Sequence, residues 1–172
     1  MFDKKLNTRK LVMVGLFIAM QIIFTRFSSI NLPNLRIGFN YLPLSICSIM
    51  FGPLTGGIAA AVADFIGVIL FPSTGAYFPG FTLTMFLTGA TYGFFTNKMG
   101  VKILPIVISV VVVCIGLNLL VDTFWLKLIL GKGYLALLPA RALKSFVMIP
   151  IQVVTIPLVW KLINIRHIKS FT

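Results

Sequence analysis

A chain of 172 residues that is 59% hydrophobic and only 10% charged, with a mean hydropathy of +1.05, cannot be a water-soluble domain, where apolar residues make up about 45–50% and charged ones about 25%. Two cysteines, scattered glycine and plentiful Leu, Ile, Val and Phe exclude disulfide-scaffolded, collagen-like and disordered chains as well. The 15 Lys and Arg against 3 acidic residues, none of them Glu, sit at the edges of apolar runs rather than in one patch, which argues against nucleic acid and for membrane edges.

A spanning helix uses about 20 apolar residues, and in chain order the sequence predicts six. Lys4, Lys5, Arg9 and Lys10 precede the uncharged run Leu11 to Thr25. No small-residue cleavage site closes that run, so it is expected to be a first span over about 10–27 rather than a signal peptide. Phe51-Gly52-Pro53 is a turn signal that divides the next uncharged run into spans of about 39–52 and 54–71. After the Gly- and Pro-rich stretch from Phe71 to Gly80 comes a fourth span, about 81–96, ended by Asn97-Lys-Met-Gly100. Ile103 to Val121 is 19 residues without a charge and anchors a fifth span, about 103–125. The sixth is expected to begin near Pro139, where a missing N–H costs nothing in a first turn, and to end near Trp160-Lys161, about 139–161. The expected fold is an all-α integral membrane protein, one domain of six transmembrane helices.

Six spans put both termini on one side. That side would hold nine cations (Lys4, Lys5, Arg9, Lys10, Lys98, Lys102, Lys161, Arg166, Lys169) against six on the other, so the positive-inside rule places both termini in the cytoplasm. The six left outside (Arg26, Arg36, Lys127, Lys132, Arg141, Lys144) exceed what topology prefers and point to an anionic solute.

Asp64 is the one acid well inside a span. Ala60, Asp64 and Gly67 share a helix face lined by small residues, where another backbone or a flat ligand can approach closely. A carboxylate there costs on the order of 3 kcal/mol by insertion scales, so it either pairs structurally, with Arg26 the obvious partner, or binds solute. Arg26 either snorkels to the interface or works with Asp64, and it shares a face with Gly15 and Ala19, a small-xxx-small pair suited to close helix packing. On the sixth span Arg141, Lys144, Ser145, Met148, Gln152 and Thr155 recur at helical spacing, and such a stripe must face other helices or a cavity. Thr84, Thr88 and Thr91 are explained by hydroxyls bonding back to their own helix. Asp122 is expected to pair with Lys127.

Phe71, Tyr77, Phe78 and Phe81 crowd one short outer loop. They form either an interfacial aromatic belt or a lid that stacks on a planar ring, with Gly75 and Gly80 letting it move. Cys47 and Cys114 lie apart inside apolar runs and read as small buried hydrophobes. No phosphate-binding G-x-x-x-x-G-K-[ST] occurs, H-E-x-x-H is impossible without Glu, and the lone His167 lies in the tail. Neither catalysis nor a metal or other cofactor is expected.

Arg26-Phe-Ser-Ser-Ile, Leu35-Arg36-Ile-Gly38-Phe39, Tyr41-Leu-Pro43, Phe51-Gly52-Pro53, Ala63-Asp64, Phe71-Pro-Ser and Tyr77-Phe-Pro-Gly-Phe81-Thr-Leu-Thr, in that order, resemble the folate-specific substrate-binding (S) component of energy-coupling factor (ECF) vitamin transporters. The resemblance runs over nearly the whole chain and concentrates between Arg26 and Phe95. It implies a bacterial cytoplasmic-membrane protein that binds a vitamin outside and joins a membrane T subunit and two ATPases that power release inside. The broader family's first helix carries Ala-x-x-x-Ala toward the T subunit; here Gly15-x-x-x-Ala19 stands in that place.

Folate chemistry suits these residues. Its pterin ring offers an N–H beside an amino group, a pair that one carboxylate can accept together, and Asp64 is the candidate. Gly67 and the loop aromatics would lie against the flat ring. The two carboxylates of the glutamate end would draw on Arg26, Lys132, Arg141 or Lys144. The alternatives are an S component for another flat vitamin such as riboflavin or thiamine, the cationic thiamine being disfavoured by the outer cations, or a membrane scaffold with no transport role.

Overall fold

Gly52 and Pro53 make a sharp break between two helices in a chain that is mostly helix. In the computed structural model, which describes residues 8–26, 29–32, 35–71, 78–131 and 134–169, helix α1 is Thr8–Arg26, followed by strands β1 (Ser29–Leu32) and β2 (Leu35–Gly38). Helix α2 (Tyr41–Phe51) ends where Gly52, at φ +88°, donates its N–H to the Ser48 carbonyl at 3.0 Å. Pro53 then opens α3 (Pro53–Leu70), as Pro79 opens α4 (Pro79–Met99). In both places the absent N–H falls among the donors a first turn leaves unpaired.

Helix α5 (Ile103–Val111) widens into a π-helical stretch, Val112–Val121, and continues as α6 (Asp122–Leu130). It stops at Gly131, whose left-handed φ of +63° lets its N–H reach the Lys127 carbonyl. Helix α7 (Tyr134–Lys169) runs 36 residues through Pro139, Pro150 and Pro157. The helix therefore starts ahead of Pro139, although its membrane-length apolar stretch is Arg141–Ile163; a proline in the second turn removes one backbone bond.

The described residues are almost entirely helical, as the all-α expectation has it, and the β1–β2 ribbon of two four-residue strands is a short addition to that frame. It is antiparallel, with Ile30 opposite Ile37 and Asn31 opposite Arg36. Strand β1 lies against α1 and β2 against α7. Among the described residues, four helices are long and apolar enough to cross a membrane: Thr8–Thr25, Pro53–Leu70, Ile103–Ile129 and Arg141–Ile163. Helix α2, 11 residues long, rises only about 16 Å, and α4 is long but rich in threonine. Large apolar side chains cover the outer surface, with Phe146 74% exposed, as suits contact with hydrocarbon rather than water.

Packing centres on α3 against α4. Gly56, Gly57, Ala59, Ala60, Ala63 and Gly67 are the buried residues of α3, and Gly80, Thr84, Thr88, Gly89, Tyr92, Gly93 and Thr96 those of α4. The two backbones meet where these side chains are smallest. The threonines satisfy their own helix: Thr84, Thr88 and Thr91 donate to the carbonyls of Gly80, Thr84 and Leu87 at 2.7–3.0 Å. Beneath lies a core of Tyr92, Val110, Val113, Cys114 and Ile156, with Cys47 and Cys114 both free thiols.

Candidate ligand site at the loop end of the bundle

The polar stripe of α7 enters the bundle, and its lower part is fully occupied with structure. Gln152 accepts the Tyr92 hydroxyl at 2.7 Å, Thr155 bonds the Tyr41 hydroxyl at 3.0 Å, and Met148 is buried. Higher up, the stripe meets the π-helical stretch. Ser145 donates to the Cys114 carbonyl at 3.2 Å, and Arg141 Nη1 donates to the Asn118 carbonyl at 3.3 Å and to the Thr123 hydroxyl at 3.2 Å. Carbonyls of a widened helix turn thus find donors on α7, and such turns gather at functional sites.

Asp64 is half-buried on α3. Its Oδ2 accepts the Thr82 hydroxyl at 2.8 Å, which ties the α3 carboxylate to the first turn of α4. Gly67 is buried on α3, and its carbonyl accepts the Phe71 N–H at 3.1 Å, closing that helix. Phe71 itself is exposed. Phe78 lies edge-on to Phe81, with ring centres 6.2 Å apart, and tilted against Trp125 at 5.5 Å.

Trp125 escapes a reading of the sequence. Its indole N–H donates to the Thr84 hydroxyl at 3.2 Å, and its ring lies so close to Gly80 that a Cβ there would come within 2.6 Å of it. The available signal was spacing: Trp125 stands three residues after Asp122, on the same helix face, with Phe124 beside it. Phe78, Phe81, Phe124 and Trp125 form one aromatic wall at the end of the bundle.

Asp122 does not pair with Lys127, which is exposed. Five residues along a helix turn the side chain to another face. Among the described residues, the cations that act on Asp122 are Arg141 and Lys144 from α7, with the Thr84 hydroxyl and the Asp64 carboxylate also close. The structure therefore gathers Asp64, Phe78, Phe81, Arg141 and Lys144 at one end, together with Asp122 and Trp125. Tyr77 and Lys132 lie outside the described residues, as does the side chain of Arg26, the last residue of α1, so an Arg26–Asp64 pair is not described either. Gly15 and Ala19 lie on the exposed side of α1, away from this group. The arrangement can hold a flat ring against aromatic faces, accept N–H donors on a carboxylate, and meet an anion with two cations.

A family model described as ECF-type riboflavin transporter, S component, matches residues 5–164. A folate transporter, FolT, of Clostridium novyi (strain NT) is 37% identical over 167 residues, which cover 97% of this chain and 95% of that relative. A second FolT, from Leuconostoc mesenteroides subsp. mesenteroides, is 26% identical over 87% of this chain and 83% of its own length. Among solved structures, a crystal structure of FolT bound with folic acid matches with a TM-score of 0.82 and 36% identity, covering 87% of this chain and 91% of that one.

Proposed function

The chain belongs to the ECF-type riboflavin transporter S-component family, and on that footing we propose that its cargo is folate, captured outside the cell and passed to a T subunit and two ATPase subunits that power uptake. The observation that carries this reading is the likeness, along 87% of the chain, to a FolT bound with folic acid. The residues suit the cargo. Asp64 would accept the amino and N–H pair of the pterin, the Phe78, Phe81 and Trp125 rings would flank it, and Arg141 and Lys144 would attract the glutamate carboxylates, with Arg26 and Lys132 as further cations and Gly67, Phe71 and Tyr77 as further lining. Riboflavin is flat too, but its sugar-alcohol tail carries no carboxylate for those cations.

In this reading α1, α2, α3, α4, the 103–130 helix and α7 are six spans of a bacterial cytoplasmic-membrane protein. Both termini face the cytoplasm and the aromatic wall faces outward. ATP hydrolysis belongs to the partner subunits, and this chain is a binding protein. The test is calorimetry on the purified protein with folic acid and with riboflavin, preceded by a search for co-purified pteridine fluorescence. Tight folic acid binding with none for riboflavin is expected. Preference for riboflavin would reassign the cargo, and binding of neither would favour a scaffold.

The reading also assigns a lid. Phe78 touches Phe81 and Trp125, and pairs of this kind contribute about 0.5–1.5 kcal/mol. Phe78→Ala is therefore expected to speed folate release roughly 2–10-fold while barely changing association, measured by stopped-flow fluorescence.

Docking would use α1. Phe17 meets Phe51 edge-on at 6.3 Å and Gln21 is buried, which anchors one side of that helix. On the other side Gly15 and Ala19 are exposed, and a Cβ at Gly15 would meet nothing within 4 Å. Leucine at both positions should leave folate binding unchanged and abolish uptake, because bulk there would hold the T subunit away. Co-purification of the variant with the T and ATPase subunits checks this, and normal assembly would move the docking face elsewhere.

A further inference from the structure

Resting on the folate reading, one buried atom carries a finer assignment. Asp122 Oδ1 is sealed from solvent and has no hydrogen-bond partner among the described residues. Arg141 and Lys144 act on this carboxylate by charge, and the Thr84 hydroxyl is a hydrogen-bond partner of the group. Charge compensation is not a hydrogen bond. Arg141 Nη1 donates to the Asn118 carbonyl and the Thr123 hydroxyl, and the Thr84 hydroxyl, which also bonds the Gly80 carbonyl, leaves Oδ1 unserved. A carboxylate oxygen left without a donor in a water-poor site is costly, and calls for a donor that arrives with the ligand.

The surroundings identify that donor. Two cations beside one acceptor match a ligand carrying a carboxylate and an N–H a few bonds apart, which is the pattern of an N-acyl amino acid. We infer that Asp122 Oδ1 accepts the amide N–H that joins the aromatic part of folate to its glutamate, while Arg141 and Lys144 take the neighbouring carboxylate. Asp122 is then a specificity residue: a bare dicarboxylate, with no N–H to offer, meets its negative charge instead.

The test compares folic acid with its ester analogue, in which oxygen replaces that N–H, by calorimetry on the wild-type protein and on Asp122→Asn and Asp122→Leu. In the wild type the ester should bind at least roughly tenfold more weakly, since an oxygen lone pair would face Oδ1. In both variants the gap should shrink to about twofold, which isolates the pairwise term. Equal wild-type affinity for the two ligands overturns the assignment, and so does a gap of the same size in the variants. The wild-type comparison involves no substitution, so it decides even where a variant misfolds. A wild type that binds neither ligand overturns the folate reading, and this assignment with it.

Discussion

Asp64→Asn is expected to weaken folate binding by about 2–4 kcal/mol, tens to several hundred fold in affinity, while leaving the protein folded. The carboxylate has lone pairs for several donors, and the Thr82 hydroxyl takes one of them at Oδ2, 2.8 Å away. That bond helps fix the plane of the group against α4 before the ligand arrives. An asparagine can keep Thr82 through its carbonyl oxygen. It must then turn its NH2 toward the pterin edge, donor against donor, and the charge that strengthened the pair is gone. The accompanying control is Thr82→Val, which leaves the charge and removes the tether, and should cost less. Calorimetry decides the matter. Unchanged folate affinity in a folded Asp64→Asn protein would make Asp64 a structural residue of the α3–α4 seam.

The parts of this molecule written in short-range spacing are readable from sequence. The α7 stripe from Arg141 to Thr155 had to face inward because polar groups cannot face lipid, and its partners Tyr92, Tyr41 and the Cys114 carbonyl lie inside the bundle. The small-residue face of α3 and the self-bonded threonines of α4 follow from local chemistry in the same way. Features set by residues distant in sequence were not readable. The π-helical Val112–Val121 is an ordinary apolar run, and nothing in it announces that donors from Arg141 and Ser145 will meet its carbonyls. Asp122 looked nearest to Lys127 along the chain, whereas the cations that act on it come from α7. Strands of four residues are too short to show an alternation. Helix α7 runs through Pro139, where propensity alone would start or end a helix.

The α3–α4 seam carries the largest expected effect on stability. A Cβ built on Gly89 would stand 2.5 Å from the Gly56 carbonyl oxygen and 2.9 Å from the Gly57 nitrogen. One on Gly93 would stand 2.5 Å from the Cα of Pro53, and one on Gly57 2.9 Å from the Phe86 carbonyl. These are backbone atoms on both sides, so no rotamer can move aside and the helices themselves would have to separate. Overpacking of a yielding core costs about 1–3 kcal/mol, and here there is little to yield. Gly89→Leu should therefore destabilise by about 3 kcal/mol or more, lowering the Tm in detergent by roughly 6–12 °C. Prying α3 from α4 also draws Asp64 away from Thr82, so folate binding should fall together with stability. Gly116→Ala is the matched control: a Cβ at Gly116 meets nothing within 4 Å, and that variant should melt within a degree or two of the parent. Thermal unfolding of the two variants side by side settles it. A Gly89→Leu protein as stable as the parent and as tight for folate would mean that the seam is not what holds the carboxylate to α4.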